Sequence, residues 1–596
     1  MPSLEGKKKV RNWKNLAFKF AEKCKGLPIA AKTLGSFLRF KESKRHWQDV
    51  LESDIWKAIS IVDNPVLPAL LLSYNDVPSH LKQCFAYCSL IPKGEWILKP
   101  FTIREWMAQG FFSNSLAARN EDINVVGDEY NNLIMRSFFK KDITKSRAKS
   151  EYYQMHDLVH DFAKSIAENE CFMLIRNSTL LEPNIYLLIE DIKVIPSFIY
   201  MAKNLCTLKI FGWIPSISFE LFHHLSCLRT LSLGDTYLKE LPNEAGKLIH
   251  LSYLDLSKAS FKELPKAVTS LYNLLYLNLY GCRNLCKLPE EICRLVNLVN
   301  LRLTECHQLS YLPEGIWKLS RLRHLSDFII GPGVESGECK IGELKDLNFL
   351  EHSLLIVGLE RVENGNEAKM ACLKNKQHLC ALYFHFNQYT GVAQVDENGS
   401  DEEGEYREVE EEQKEEKVLV VDGEGKTIAG EETVGVESKP EGGDEEVDIG
   451  GDMLLKRMED VMENLQPHTN LEKLIIRDYL GVVFPNWMDS HANFMMFSNL
   501  VFLELNGCRK CKQLPPTLGK LPSLETLAIS KMDEVKFMGA EFFGFPKLKV
   551  VQLDAMWNLE GWDLRIPKEE EGKQFIFMPR LHYIAPIELP NLRSFP

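Results

Sequence analysis

Residues 228–242 read L-R-T-L-S-L-G-D-T-Y-L-K-E-L-P, and this stretch decides the fold because it returns three times. It recurs as L-S-Y-L-D-L-S-K-A-S-F-K-E-L-P at 251–265. It recurs again as L-L-Y-L-N-L-Y-G-C-R-N-L-C-K-L-P at 274–289 and as L-V-N-L-R-L-T-E-C-H-Q-L-S-Y-L-P at 298–313. The closing prolines, Pro242, Pro265, Pro289 and Pro313, advance by 23, 24 and 24 residues. In L-x-x-L-x-L the alternate leucines face one way from a short strand, because successive side chains of a strand point to opposite faces. One such unit cannot bury its own apolar side, so neighbours must stack.

A period of this length marks a leucine-rich-repeat solenoid, a horseshoe with a parallel sheet on its concave face. The site after each strand is filled by Thr236, Ala259, Cys282 and Cys306, small residues that turn into the core. The pattern fades after Leu325 and resumes at Leu471, Leu474 and Ile476, then at Leu500, Leu503 and Leu505. Two further units start at Leu524 and Leu548, and the last runs from Leu581 to Pro596 in phase with a repeat end. The outward strand positions form rungs across the sheet. Tyr253, Asp255, Tyr276, Asn278, Tyr280 and Arg302 stand on these rungs and are the candidate partner-binding residues, since Tyr and Arg are enriched at interface hot spots. Replacing Tyr253, Tyr276 and Arg302 is expected to abolish partner binding and to leave the fold intact.

The formal net charge is −12, but residues 396–449 hold 22 Asp and Glu against 5 Lys and Arg. The rest of the chain is close to neutral, which excludes a general basic footprint for nucleic acid. Residues 391–450 cannot bury enough apolar surface to offset their ordering entropy and read as an acidic, disordered insertion. No apolar run reaches the roughly 20 residues of a membrane helix. Fifteen cysteines, an odd number, with no secretory segment point to a reducing, cytoplasmic location.

The first 170 residues have helical spacing, punctuated by Pro28, Pro78, Pro92 and Pro100. Gly26-Leu27-Pro28-Ile29-Ala30, Leu67-Pro68-Ala69-Leu70 with Leu72-Ser73-Tyr74, Leu81 to Ser89, Trp106 to Phe111, and Met155-His156-Asp157 follow in that order. In this order they resemble the motifs of plant nucleotide-binding leucine-rich-repeat disease-resistance proteins of the coiled-coil subclass. Leu465-Gln466-Pro467-His468 and Phe484-Pro485-Asn486-Trp487-Met488 resemble the later repeats of the same family.

The resemblance implies an α+β multidomain chain. Residues 1–65 would be a helical remnant of the nucleotide-binding (NB-ARC) region, and 66–170 a winged-helix domain ending in the M-H-D helix. Residues 171–200 would be a linker, 201–390 a first repeat array, 391–450 the insertion, and 451–596 a second array. It further implies that Pro28 and His156 contact the adenine and the diphosphate of ADP. The family's P-loop is not legible in this sequence. Gly423-Glu424-Gly425-Lys426-Thr427 is no substitute, since its first required glycine falls on Val420. The expectation is therefore an N-terminally truncated receptor that binds neither ATP nor ADP tightly.

Two spacings suggest metal chemistry and fail on inspection. His156 and His160 are i, i+4, but Asp157 stands where a zinc protease needs Glu, and no third ligand follows. Cys508-Arg509-Lys510-Cys511 is a C-x-x-C whose cysteines both fall on core sites of the repeat. No assembled catalytic site is visible. The function implied is plant defence: recognition, through the repeats, of a pathogen effector or of a guarded host protein that an effector alters, with full-length receptors as a further partner. The alternative is a scaffold or decoy that does not switch.

Overall fold

The computed structural model describes residues 4–41, 43–58, 66–112, 123–141, 152–167, 171–175, 186–190, 195–334, 337–387, 449–489, 497–542, 544–562 and 578–593. The acidic insertion expected at 391–450 lies outside the described residues, apart from its last two, which open the helix Ile449–Glu463.

The N-terminal part is helical. Helices α1 (Leu4–Lys23), α2 (Pro28–Arg39), α3 (Lys44–Glu52), α4 (Ile55–Ala58), α5 (Val66–Asn75) and α6 (Ser79–Tyr87) precede strand β1 (Trp96–Leu98). Then come α7 (Lys99–Gln109), α8 (Ile123–Met135), β2 (Phe139–Lys141), β3 (Tyr152–Met155) and α9 (Asp157–Ile166). The three strands make an antiparallel sheet in the order β1-β3-β2, the wing of a winged helix. Pro28 and Pro100 sit in the first turns of α2 and α7, where a missing N–H costs no helical bond. Gly110 ends α7 in the left-handed conformation, φ 75°. Phe85, Phe138, Tyr130, Trp106 and Phe162 form the aromatic centre of this core.

Among the described residues, every later strand except β18 (Phe537–Met538) and β20 (Gly561–Trp562) belongs to one of two eight-stranded parallel sheets. The first sheet runs in order through β4 (Cys171–Ile175), β5 (Tyr186–Glu190), β6 (Thr207–Phe211) and β7 (Thr230–Ser232). It continues through β8 (Tyr253–Asp255), β9 (Tyr276–Asn278), β10 (Asn300–Arg302) and β11 (His324–Leu325). The second begins at β12 (Asp327–Ile329), β13 (His352–Val357) and β14 (Leu379–His385). It goes on through β15 (Lys473–Arg477), β16 (Phe502–Asn506), β17 (Thr526–Ser530), β19 (Val550–Asp554) and β21 (Tyr583–Ile587).

The register places equivalent repeat positions side by side: Leu231, Leu254, Leu277 and Leu301 are successive partners, and all are buried. Each proline of a Leu-Pro pair, at 242, 265 and 289, has φ near −59° and opens a 3-10 turn on the convex side. Just after the strand a residue of each of these repeats is left-handed, namely Asp235, Lys258, Gly281 and Glu305, and Tyr237 is left-handed as well. The amides of Asp235, Lys258 and Gly281 donate to the carbonyls of Ser257, Tyr280 and Thr304 in the next repeat. The small residues after the strands tie each repeat to the one before, since Cys282 and Cys306 donate their thiols to the carbonyls of Leu256 and Leu279 at 3.2 and 3.1 Å.

The segment 171–200, expected as a linker, instead contributes β4 and β5 to the solenoid. Leu187 and Ile189 of β5 point into the repeat core, while Leu188 between them packs into the winged-helix core. One strand is thus shared by both domains. The L-x-x-L lead is missing here, so the repeat period gives no signal.

Candidate functional site

The concave face of the first sheet is where sequence reasoning puts recognition, and its six candidate residues do point there. That face, however, is covered. Helix α7 of the winged helix lies on it, so Tyr253 and Tyr276 are only 4 and 2 % exposed, and Asp255 and Arg302, engaged with their neighbours on the sheet, are 4 and 3 % exposed. Tyr253 and Tyr276, with ring centroids 5.9 Å apart, form a small apolar cluster with Ala108 and Val299, flanked by Met107. The Tyr276 hydroxyl reaches the Met107 sulfur at 3.2 Å. The expectation of a free patch is corrected: in this arrangement these side chains form an interface within the chain. The period of a strand tells which way a side chain points, not what another domain puts over it.

The contact is polar at its centre. The Gln109 carboxamide donates to the Thr207 hydroxyl at 2.8 Å and to the Thr230 hydroxyl at 2.6 Å, and both threonines are fully buried. Arg229 donates to the Gln109 carbonyl. Lys209 pairs with Glu105 at 2.5 Å, with side chains only 10 and 13 % exposed, and its ammonium lies 5.6 Å from the Tyr87 ring centroid. Removing one member of such a pair strands a buried charge. Gln109, Glu105, Lys209 and the two threonines are the functional residues that sequence reasoning missed. The signal was weak: small Thr207 and Thr230 on the outward row leave room for a helix.

Further along the sheet, Asp255 accepts from Ser232 and from Asn278, each at 3.0 Å. Arg302 lies over the Tyr280 ring, 4.4 Å from its centroid. The Tyr280 hydroxyl donates to Glu305, which Arg283 also holds. Burial pushes the Glu305 carboxyl up, but these donors win and hold it below the usual range.

The second sheet carries a different concave face. Its outward rungs include Tyr383, Lys473, Ile475, Phe502, Glu504, Gln552 and Tyr583, as the register places them. The Lys473 ammonium stands between two rings, 5.4 Å from that of Tyr383 and 4.6 Å from that of Phe502. Arg477 pairs with Glu504 at 2.9 Å. Tyr383, Lys473 and Phe502 are half-buried, whereas Gln552, Tyr583 and Ile587 are exposed. Burial, then the nearby Arg477, brings His385 down to about 4, so it is neutral at pH 7.

Pro28 and His156 are exposed, each at the start of a helix. His156 caps α9, its Nδ1 accepting from the Leu158 amide at 3.2 Å. His160 turns inward and meets the Ile91 carbonyl at 2.8 Å, so the i, i+4 pair does not converge. Cys508 and Cys511 are buried in the repeat core; Cys511 donates to Gly481, and burial pushes the Cys508 thiol up to about 12. Among the described residues no helix is long and apolar enough to cross a membrane, and no group of His, Cys, Asp and Glu could hold a metal ion.

Known families match the same spans. Residues 90–163 match the disease resistance protein winged helix domain, 203–286 and 243–408 the leucine-rich repeat region, and 451–532 the R13L1/DRL21 leucine-rich repeats. The disease resistance protein RGA2 of Solanum bulbocastanum is 34% identical over 565 residues, covering 93% of this chain and 48% of that protein. RGA1 of the same plant is 34% identical over 580 residues, covering 96% and 49%. The RPP13-like protein 1 of Arabidopsis thaliana is 31% identical over 620 residues, covering 97% and 52%. The chain spans about half the length of the curated relatives it matches. Over that shared span it belongs to the plant disease-resistance proteins, which here join a winged helix to leucine-rich repeats.

Proposed function

We propose that this chain is the sensing part of a cytoplasmic plant immune receptor. In this reading the winged helix and the first repeats form a closed clamp. The later repeats recognise a protein, either a pathogen effector or a host protein that an effector has altered. The observation that carries the reading is the contrast between the two concave faces: Tyr253 and Tyr276 lie under α7, while Gln552 and Tyr583, on two outward rungs of the second sheet, are open to solvent. Aromatic rings with a cation held between them suit a protein partner that offers both apolar and acidic groups. Recognition, rather than catalysis, is the role these side chains support.

The test is a triple variant, Tyr383→Ala, Lys473→Glu and Phe502→Ala. It is expected to lose, by tenfold or more, the proteins that co-purify with the intact chain from infected tissue, with circular dichroism unchanged. Undiminished co-purification would defeat the reading.

We further propose that this chain binds ADP only weakly. Pro28 and His156 would supply two contacts, and the phosphate-cradling amides of a P-loop are not legible among its residues. Calorimetry is expected to show no binding at micromolar ADP; a micromolar dissociation constant would contradict this.

A further inference from the structure

In the first array each convex 3-10 turn hands over to the next strand through one leucine. Leu248, Leu271 and Leu295 have ψ of 63°, 68° and 55°, the geometry of an inverse γ-turn. The tight turn sends the leucine inward and the next side chain out. The three leucines are fully buried, whereas Ile249, Tyr272 and Val296, which follow them, are 55, 56 and 49 % exposed.

These three side chains form one row across neighbouring repeats. Asn273 donates to the Ile249 carbonyl at 2.7 Å and Asn297 to the Tyr272 carbonyl at 2.8 Å, so the repeats are tied together at this edge. The equivalent positions on either side are Ser226 and Ser320, both exposed, and they bound the row. One exposed apolar side chain is ordinary, but a contiguous group rimmed by polar residues marks a contact surface.

The charge along this edge has one sign. Residues 247–250, 270–273, 294–297 and 318–321 include Lys247, Arg294, Lys318 and Arg321 and contain no Asp or Glu. All four cations are exposed. Among the described residues Lys247, Arg294 and Lys318 form no ion pair. The carboxylates of these repeats stand earlier, at Glu244, Glu290, Glu291 and Glu314, and Lys266 already holds Glu291.

The spacing selects the shape of the occupant. Neighbouring rungs of such a sheet lie about 4.8 Å apart, and a helix rises about 5.4 Å per turn. From Ile249 to Val296 the mismatch is about 1 Å over two steps, so helix residues at i, i+4 and i+7 meet one rung each.

We propose that the row Ile249, Tyr272 and Val296 docks an acidic amphipathic helix of a partner protein. Its apolar stripe lies on the row, and its carboxylates face Lys247, Arg294, Lys318 and Arg321. This edge is distinct from the concave face under α7 and from the concave face of the second sheet, so the proposal does not depend on the closed clamp.

Fluorescence anisotropy of the full chain with a labelled peptide helix of about 15 residues tests it. The peptide carries Leu at i, i+4, i+7 and i+11 and Glu on both flanks. Two controls carry Lys in place of Glu, or the same residues with the leucine stripe scrambled. Saturable binding of the acidic peptide is expected, at least tenfold tighter than of either control and weaker at high salt. The double variant Tyr272→Ser, Val296→Ser should weaken it tenfold or more with circular dichroism unchanged, and Arg294→Glu should act in the same direction. Absence of saturable binding, equal binding of the lysine control, or a double variant that binds as well as the parent would overturn the proposal. It also fails if this chain is its own occupant. That result would be a dimer in sedimentation that the double variant abolishes, or peptide binding that appears only after residues 396–449 are deleted.

Discussion

Glu105→Ala is expected to release the winged helix from the first repeats. Lys209 would stay in a nearly dry seam with no counter-charge, and breaking a buried pair from one side costs about 3–5 kcal/mol. Each 1.4 kcal/mol or so shifts a two-state population about tenfold, so the closed state would lose at least two orders of magnitude. Hydrogen exchange should rise across α7 and over residues 207–211, 230–232 and 253–255, while the repeat core stays protected. Adding Lys209→Met removes the stranded charge and keeps the side-chain length, and it should restore most of the protection. Should Glu105→Ala leave exchange unchanged, the ion pair does not hold the clamp.

Leu277→Ala should act on architecture instead. Leu277 is fully buried and sits in register with Leu254 and Leu301, so truncation opens a cavity between stacked repeats. The loss is expected at roughly 2–5 kcal/mol. In a solenoid each repeat is supported by its neighbours, so the damage should spread along the array. Urea unfolding of the chain should show a lower midpoint, with the change confined to the repeat transition if the winged helix unfolds separately. A shift below about 0.5 kcal/mol, the scale of an ordinary surface substitution, would contradict the placement of this leucine.

The two variants divide what could be read in the residues from what could not. Leu277 was legible because L-x-x-L-x-L fixes both strand direction and face, and four copies in phase leave no second register. The inward placement of Cys282 and Cys306 followed from the same count. Pro28 and His156 stand at a helix start and at a helix cap, roles that depend only on neighbours in the chain. The cover over Tyr253 and Tyr276 was not. It depends on Gln109 meeting Thr230 across 121 residues, and no local pattern encodes that approach. Strands β4 and β5 were missed for a related reason: Leu187 and Ile189 serve the solenoid while Leu188 serves the winged helix, so an apolar run replaces the repeat signature.

We propose different roles for the two concave faces, with the first held shut inside the chain and the second offered to a partner. This division also changes how variants of the outward tyrosines should be read. Loss of function after Tyr253→Ala or Tyr276→Ala would report on the clamp, because both rings pack against the Ala108 and Met107 positions of α7. Loss after Tyr383→Ala or Phe502→Ala would report on recognition.

Hydroxyl-radical footprinting of the intact chain, read by mass spectrometry at single tyrosines, tests the division most directly. Tyr583, 59 % exposed, should label readily, while Tyr253 and Tyr276, 4 and 2 % exposed, should remain nearly unlabelled until Glu105 is replaced by alanine. Labelling of Tyr253 and Tyr276 in the unaltered chain at the rate of Tyr583 would contradict the closed clamp.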